Sequence, residues 1–270
     1  MSQNSDFPRA NVLGVGVSAI NLSQAAQILL DTAYRNQRGY VCVTGVHGIS
    51  EAQIDPQFRK ILNNAFLNTP DGMPMSWIGW IQGHRDMDRV YGPDLMLDLS
   101  DAGRVHELRH FYYGGKEGVA KQLKQKMEAR FPGLKVVGTY TPPFRPLNAN
   151  EENSLIRQLK KTRPHFLWVG LSTPKQEQFM ARYFDRLPVN ILLGVGAAFD
   201  MHAGLVAQAP RWIQRLGLEW LFRLCTEPRR LWKRYCINNP LFIARITSQL
   251  LGLRKYPLSN DQQPLNPTQQ

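Results

Sequence analysis

The sequence predicts an α/β fold: a mainly parallel sheet with helices on both faces, extended by a basic helical appendage. Three observations point there. Short apolar runs alternate with helical periodicity between residues 11 and 205. The runs are apolar almost throughout rather than at every second position, as strands covered on both faces are. The charge is concentrated: residues 205–256 hold ten basic side chains against two acids, Glu219 and Glu227, so they carry +8 of a formal net charge of +12.

The elements follow in order. Residues 1–10 read as a flexible N-terminus, and residues 11–205 as the α/β domain. Strand candidates are Val12–Val17, Tyr40–Thr44, His110–Tyr113, Lys135–Thr139, His165–Val169 and Asn190–Val195, most of them ending in glycine or a turn signal. Between them, Leu22, Ala25, Ala26, Leu29, Leu30 and Ala33 recur at helical spacing behind Asn21 or Ser23 as a cap. Val119, Leu123 and Met127 repeat the pattern, as do Leu155, Ile156 and Leu159 after Asn150. Residues 206–256 form the appendage. Leu218, Leu221, Phe222, Leu224 and Cys225 give one apolar face, Thr226-Glu227-Pro228 stops that helix and starts another, and Pro240 begins a further pattern with Phe242, Ile246 and Leu250. Residues 257–270 are polar, rich in Pro and Gln, and read as disordered.

Composition removes several classes. An apolar share of 43% over 270 residues fits a globular chain. Three scattered cysteines, Cys42, Cys225 and Cys236, suit neither a disulfide framework nor a zinc site and imply a reducing compartment. The opening MSQNSDFPRANV lacks the basic and apolar regions of a secretory signal. No stretch approaches the ~18 apolar residues of a membrane span. The concentrated basic charge calls for a polyanionic partner: substrate phosphates, an anionic membrane face or nucleic acid.

Each motif has a structural and a chemical reading. Gly14-Val15-Gly16 and Gly194-Val195-Gly196 resemble fragments of a dinucleotide-binding turn. For the first, a tight turn is the simpler account. The second leads to Asp200, which could accept from a ribose or sugar hydroxyl at the carboxyl edge of the sheet, or cap a helix. Asp71, fixed between Pro70 and Gly72, has the rigidity a general base needs, although spacing alone favours turn chemistry or a cap for a helix over Met73–Trp80. Thr173 and Gln176, with Pro174 at the first helical position, spell a capping box, and the same helix start could meet an anion or a sugar hydroxyl. Asp86-Met87-Asp88 has the spacing of a divalent-metal motif but follows Gln82-Gly83-His84-Arg85 rather than a strand, so it reads as a solvated cluster and no metal site is expected. Arg89 to Asp94 is a stiff turn with both charge signs, suited to an ion pair or a cap. His47 is the best placed of six histidines. Arg223, Arg229 and Arg230 could neutralise a departing diphosphate without a metal.

In chain order, Thr69-Pro70-Asp71-Gly72, Tyr91-Gly92-Pro93-Asp94-Leu95, Thr141-Pro142-Pro143-Phe144, Thr173-Pro174-Lys175-Gln176-Glu177, Gly194 to Asp200, Ala209-Pro210-Arg211-Trp212, and Gly217 to Leu224 with Glu227-Pro228 resemble the WecG/TagA/CpsF family of bacterial glycosyltransferases (glycosyltransferase family 26). The resemblance spans about residues 10–240. It implies a Rossmann-like fold of the GT-E type and an inverting, metal-independent transferase without a cofactor. The donor is a UDP-sugar, often an N-acetylmannosamine derivative. The acceptor is a polyprenyl-pyrophosphate-linked sugar for surface polysaccharide or exopolysaccharide. The implied location is the inner face of the cytoplasmic membrane, where the appendage closes over the site and meets anionic lipid. Homo-oligomer formation stays open, and no nucleic acid is implied.

Carried over by position, Asp71 is the general base. Thr44, Gly45, Gln176, Glu177, Gly194, Gly196 and Asp200 are placed at the donor. Arg89, Asp94, Arg223 and Arg230 are placed at diphosphate or acceptor. A third appendage arginine falls at Lys233, with Arg234 adjacent. Many members carry Thr-x-Asn at the end of the strand Tyr40–Thr44, where Val43 and Gly45 stand here, so the donor sugar is not assumed to be N-acetylmannosamine. The glycine turns alone suggest a nicotinamide-dependent oxidoreductase as the alternative. A nucleic-acid-binding module would use the basic segment but shows no recognisable signature.

Overall fold

A computed structural model describes residues 7–258, so all but the first two residues of the expected tail and most of the expected flexible N-terminus lie outside the described residues. Where one strand was expected over Val12–Val17, the chain forms a hairpin. Strands β1 (Arg9–Val12) and β2 (Val15–Ser18) pair antiparallel from Arg9↔Ser18 to Val12↔Val15. The linking residues Leu13 and Gly14 have φ of 53° and 82°, the left-handed backbone that a two-residue hairpin turn demands. Gly14 is therefore a hairpin residue, and the first of the two dinucleotide-like turns is gone. The expected flexible start also gives way to β1 at Arg9.

Helix α1 (Leu22–Tyr34) follows, and of its two candidate caps Asn21 is the one used, in a reciprocal box with Gln24. Next come β3 (Gly39–Thr44), α2 (Val46–Ile54), α3 (Pro56–Asn63), β4 (Leu67–Pro70), α4 (Met73–Ile81) and α5 (Gly92–Ala102). The second half continues with β5 (Arg109–Gly114), α6 (Val119–Arg130), β6 (Lys135–Tyr140), α7 (Ala149–Thr162), β7 (Phe166–Gly170), α8 (Lys175–Tyr183), β8 (Ile191–Gly194) and α9 (Ala198–His202). Six of these strands form one sheet in the order β4-β3-β8-β7-β5-β6, every pairing parallel. This is a Rossmann-like α/β architecture.

Strand β7 shows why the runs were apolar throughout. Phe166 and Trp168 pack with α1, α5, α6 and α9 on one face, while Leu167 and Val169 pack with α2, α3, α7 and α8 on the other, and all four are fully buried. Strand β4 escaped detection because its residues, Leu-Asn-Thr-Pro, carry no apolar run. Asn68 holds it in place: its N–H donates to Ser18 Oγ and its amide to Gly16 O (3.1 and 3.0 Å), so the hairpin closes this edge of the sheet.

The appendage comprises α10 (Arg211–Arg215), α11 (Glu219–Thr226) and α12 (Pro228–Leu250). Two helices were expected from Pro228 onward, yet α12 continues through Pro240. Its far half is anchored well enough to carry the lost hydrogen bond. Phe242 and Ile246 join the core beside α2, and Gln249 bridges Leu13 N–H and Asn11 O in the hairpin, at 2.7 Å each.

Candidate active site

The carboxyl ends of β3, β4, β7 and β8 lie side by side, the edge at which open α/β sheets bind ligands. Asp71 leaves the end of β4 with its N–H donating to Thr44 O at the end of β3 (2.9 Å). The approach is close: a Cβ on Gly45 would stand 2.8 Å from Asp71 O, so only glycine fits there. Gly72, at φ 90°, then turns the chain into α4, and it offers no side-chain cap. Asp71 does not cap α4 either, which leaves its carboxylate free for chemistry. On the other side Val90 N–H donates to Pro70 O (2.8 Å), which brings Arg89 and Tyr91 beside Asp71.

Burial raises the Asp71 carboxyl to about 6, with Glu219 adding to the rise; Arg89, Arg223 and Arg234 oppose it. Three of those four neighbours come from the appendage. The site is thus made of two parts, a carboxylate on the sheet edge and a roof of guanidinium groups above it.

Around the carboxyl ends of β3, β7 and β8 stand Thr44 at the end of β3, Gln176 and Glu177 in the first turn of α8, and Gly194 and Gly196 at and past the end of β8. The expected capping box at Thr173 and Gln176 does not form, because α8 begins at Lys175 and both side chains are used elsewhere. Thr173 Oγ1 and Gln176 Nε2 each donate to Glu177 Oε1, at 2.8 and 3.0 Å. Gln176 lies hard against the strand end, where a Cβ on Gly194 would meet its Nε2 at 3.1 Å and Met180 Cε at 2.8 Å. Burial pushes the Glu177 carboxyl upward, against the hydrogen bonds from Gln176 and Thr173 and the charge of Arg234. Three buried oxygens here have no hydrogen-bond partner among the described residues: Thr44 Oγ1, Gln176 Oε1 and Glu177 Oε2. Asp200, in the first turn of α9, is half-buried and raised by burial, with Arg230, Lys116 and Arg223 opposing.

The roof arginines are organised by acids. Glu227 accepts from Arg230 Nε (2.7 Å) and stands 3.8 Å from Arg223, while Arg223 Nε and Arg234 Nε are buried without hydrogen-bond partners among the described residues. The side chains at positions 233 and 234, between which the sequence left a choice, have different surroundings. Lys233 is exposed over the Trp232 ring, whereas Arg234 is half-buried and acts electrostatically on Asp71, Glu177 and His47. Its own guanidinium is depressed first by burial and then, against Tyr235 and Asp71, by Arg223 and Arg230.

Arg89 and Asp94 were expected at diphosphate or acceptor, and both are engaged within the protein. Arg89 donates to Gln214 Oε1 (2.8 Å), pairs with Glu219 and stacks over Tyr91, 3.8 Å from the ring centre. Tyr91 Oη donates to Glu219 Oε1 (2.6 Å). Asp94 accepts from Arg211 Nη1 at 2.5 Å. Asp86 and Asp88 are exposed, and among the described residues no group of three or more His, Cys, Asp or Glu side chains is arranged to hold a metal ion.

Sequence reasoning passed over Glu219, Gln214 and Asn238. Glu219 had a signal: it is one of two acids in a basic stretch, and both are spent organising arginines. Asn238 faces His47, amide nitrogen to Nδ1 at 3.3 Å. Burial, with help from Arg234, drops that imidazole to about 4, so it is neutral at physiological pH.

The chain is similar to known proteins over most of its length. Residues 10–256 match the model of the glycosyl transferase WecG/TagA/CpsF family. An N-acetylglucosaminyldiphosphoundecaprenol N-acetyl-beta-D-mannosaminyltransferase of Bacillus spizizenii is 30% identical over 219 residues, 80% of this chain and 82% of that protein. A protein of the same name from Bacillus subtilis is 29% identical over 180 residues, 67% of this chain and 68% of its own length.

Proposed function

The chain belongs to the WecG/TagA/CpsF family and is a glycosyltransferase; from that premise we propose that it moves a hexosyl or N-acetylhexosaminyl group from a UDP-sugar, with inversion, to a polyprenyl-pyrophosphate-linked sugar. The two relatives are named for an N-acetylglucosaminyl-diphosphoundecaprenol acceptor, and we take the same acceptor chemistry for this chain. The observation that carries the reading is Asp71: a carboxyl of pKa about 6 on the sheet edge, faced by the guanidinium groups of Arg89, Arg223 and Arg234.

Asp71 takes the proton from the acceptor hydroxyl as that oxygen attacks the anomeric carbon. The bond from that carbon to the diphosphate oxygen breaks, and uridine diphosphate leaves with the electron pair. A base of pKa about 6 is mostly ionised at pH 7 yet still basic enough to pull on a hydroxyl as it attacks. Arg223, Arg230 and Arg234 take up the charge on the leaving diphosphate in place of a metal ion. Thr44 Oγ1, Gln176 Oε1 and Glu177 Oε2, buried without hydrogen-bond partners among the described residues, offer polar contacts to the donor beside the open backbone of Gly45, Gly194 and Gly196. Asp200 is suited to a ribose or sugar hydroxyl.

No helix among the described residues is long and apolar enough to cross a membrane. The appendage nevertheless exposes Trp212, Leu216, Trp232 and Ile243 among its arginines, the composition of a surface that rests on anionic lipid. We place the protein on the cytoplasmic face of the membrane, where the acceptor's headgroup is. The test is to incubate it with a panel of UDP-sugars and a short-chain polyprenyl-pyrophosphate N-acetylglucosamine, then weigh the product. One added hexosyl or N-acetylhexosaminyl mass is expected. Turnover of none of the panel, with wild-type binding of a nicotinamide dinucleotide, would restore the oxidoreductase alternative.

A further inference from the structure

The reaction involves two diphosphates, one on the donor and one on the acceptor. The roof over Asp71 supplies cations for one of them. A second basic group, Arg211 and Arg215, stands with Arg89 and Tyr91 at a cleft of about 440 Å³ between α1, α4, α5 and α10.

Arg89 and Tyr91 line the cleft and also act electrostatically on Asp71, so the cleft adjoins the proposed catalytic centre. Leu22 and Met73 contribute apolar surface, while Asn21, Ser23 and Asp88 contribute hydroxyl, amide and carboxylate groups. That mixture suits a sugar ring, which is apolar on its C–H face and both donor and acceptor at its rim. Arg211 and Arg215, four residues apart and so on one side of α10, stand at the cleft as its exposed cations. Arg211 is largely exposed and held in place by the buried Asp94, and Arg215 is exposed with no hydrogen-bond or ion-pair partner among the described residues. The next positions on the same helix turn, Trp212 and Leu216, are exposed apolar groups, 63% and 58% accessible. Gly217 packs against Trp77 of α4, so the apolar rim continues onto the catalytic domain.

We propose that this cleft is the acceptor site. It holds the acceptor sugar against Met73 and Tyr91, its pyrophosphate on Arg211 and Arg215, and the first isoprene units along Trp212 and Leu216. Sugar, diphosphate and lipid are thereby met in the order in which they occur in the molecule, with the sugar end nearest Asp71. Asp94 acts here through Arg211, as a positioning residue. The assignment rests on the transfer reaction proposed above.

The test measures binding and turnover separately. Arg211→Ala with Arg215→Ala removes two surface cations, and Ser23→Trp fills the cleft from an exposed position at the start of α1. Binding of short-chain polyprenyl-pyrophosphate N-acetylglucosamine in detergent, and its KM, should weaken roughly tenfold or more in both variants. The thermal shift with uridine diphosphate and the donor KM should stay within about twofold, because the roof arginines are untouched. Loss of uridine diphosphate affinity instead would make the cleft a donor site, and unchanged acceptor binding in both variants would overturn the assignment. Failure of the wild-type protein to transfer any sugar while the acceptor still binds through Arg211 and Arg215 would overturn only the reaction.

Discussion

The two halves of the site are held by different means. On the sheet edge, Asp71 is fixed by backbone: its N–H is bonded to Thr44 O, its carbonyl abuts Gly45, and Pro70 O is bonded to Val90 N–H. In the appendage Glu227 holds Arg223 and Arg230, and Glu219 latches the cover to Arg89 and Tyr91, all through side chains, on helices of which α11 buries no residue completely. The first half is part of the fold; the second is a cover latched to it. Substitutions on the edge should therefore alter chemistry at fixed geometry, while substitutions in the cover should alter how well the cover sits.

Asp71→Asn tests the first half and should give the largest effect. Transfer falls by ~10²–10⁴-fold if Asp71 is the base, with the uridine diphosphate thermal shift retained. The stability effect has the opposite sign. Asp71 titrates at about 6 in the folded protein against an ordinary 3.8, so the folded state holds its proton more tightly than the unfolded chain. That contribution is present at low pH and is lost as pH rises from about 4 to about 6. Removing the charge should leave the variant more stable than the parent at pH 7, by ~1–3 kcal/mol, seen as a higher Tm. A variant both slower and less stable would mean that Asp71 supports structure rather than catalysis.

How much of this was legible beforehand follows the same division. Five of the six sheet strands announced themselves as apolar runs, because a strand covered on both faces has nowhere to put a polar side chain. Strand β4 did not, since Asn68 and Thr69 are buried through hydrogen bonds rather than apolarity, and it is the strand that delivers Asp71. The motif around Asp71 was visible as residues, but its neighbours were not. Arg89 and Glu219 are 130 positions apart, and only the folded chain shows them paired. Lys233 and Arg234 were indistinguishable by spacing because a one-residue step on a helix turns a side chain by about 100°. The direction of that turn relative to the sheet is a tertiary fact.

The cover can be probed from both charge signs. Arg234→Ala should slow transfer roughly tenfold to a hundredfold, whereas Lys233→Ala, an exposed change, should stay within about threefold. Arg234 lowers the Asp71 carboxyl and Glu219 raises it. The acid limb of kcat/KM, expected near pH 6 in the parent, should therefore move to higher pH in Arg234→Ala and to lower pH in Glu219→Gln. Glu219→Gln should slow transfer less, by up to about tenfold, and cost ~1–3 kcal/mol through Arg89 and Tyr91. Because the latch is local, trypsin should cut earlier at Arg215 or Arg223. Limbs that shift the same way in both variants would place the appendage too far from Asp71 to act on it.

The smallest effect concerns how the cover is joined to its anchor. Pro240 divides α12 into a near half, which carries Arg230 and Arg234, and a far half pinned by Phe242, Ile246 and Gln249. Pro240→Ala restores one backbone hydrogen bond, a gain of ~0.5–1.5 kcal/mol. It also frees the unfolded chain at that residue, a loss of ~0.4–1 kcal/mol. The terms nearly cancel, so Tm should move by at most a few degrees and transfer by less than about twofold. A rate loss well beyond that, at unchanged Tm, would mean that the near half has to swing about Pro240 during turnover. The contrast between a fixed edge and a seated cover would then become one between a fixed edge and a moving cover.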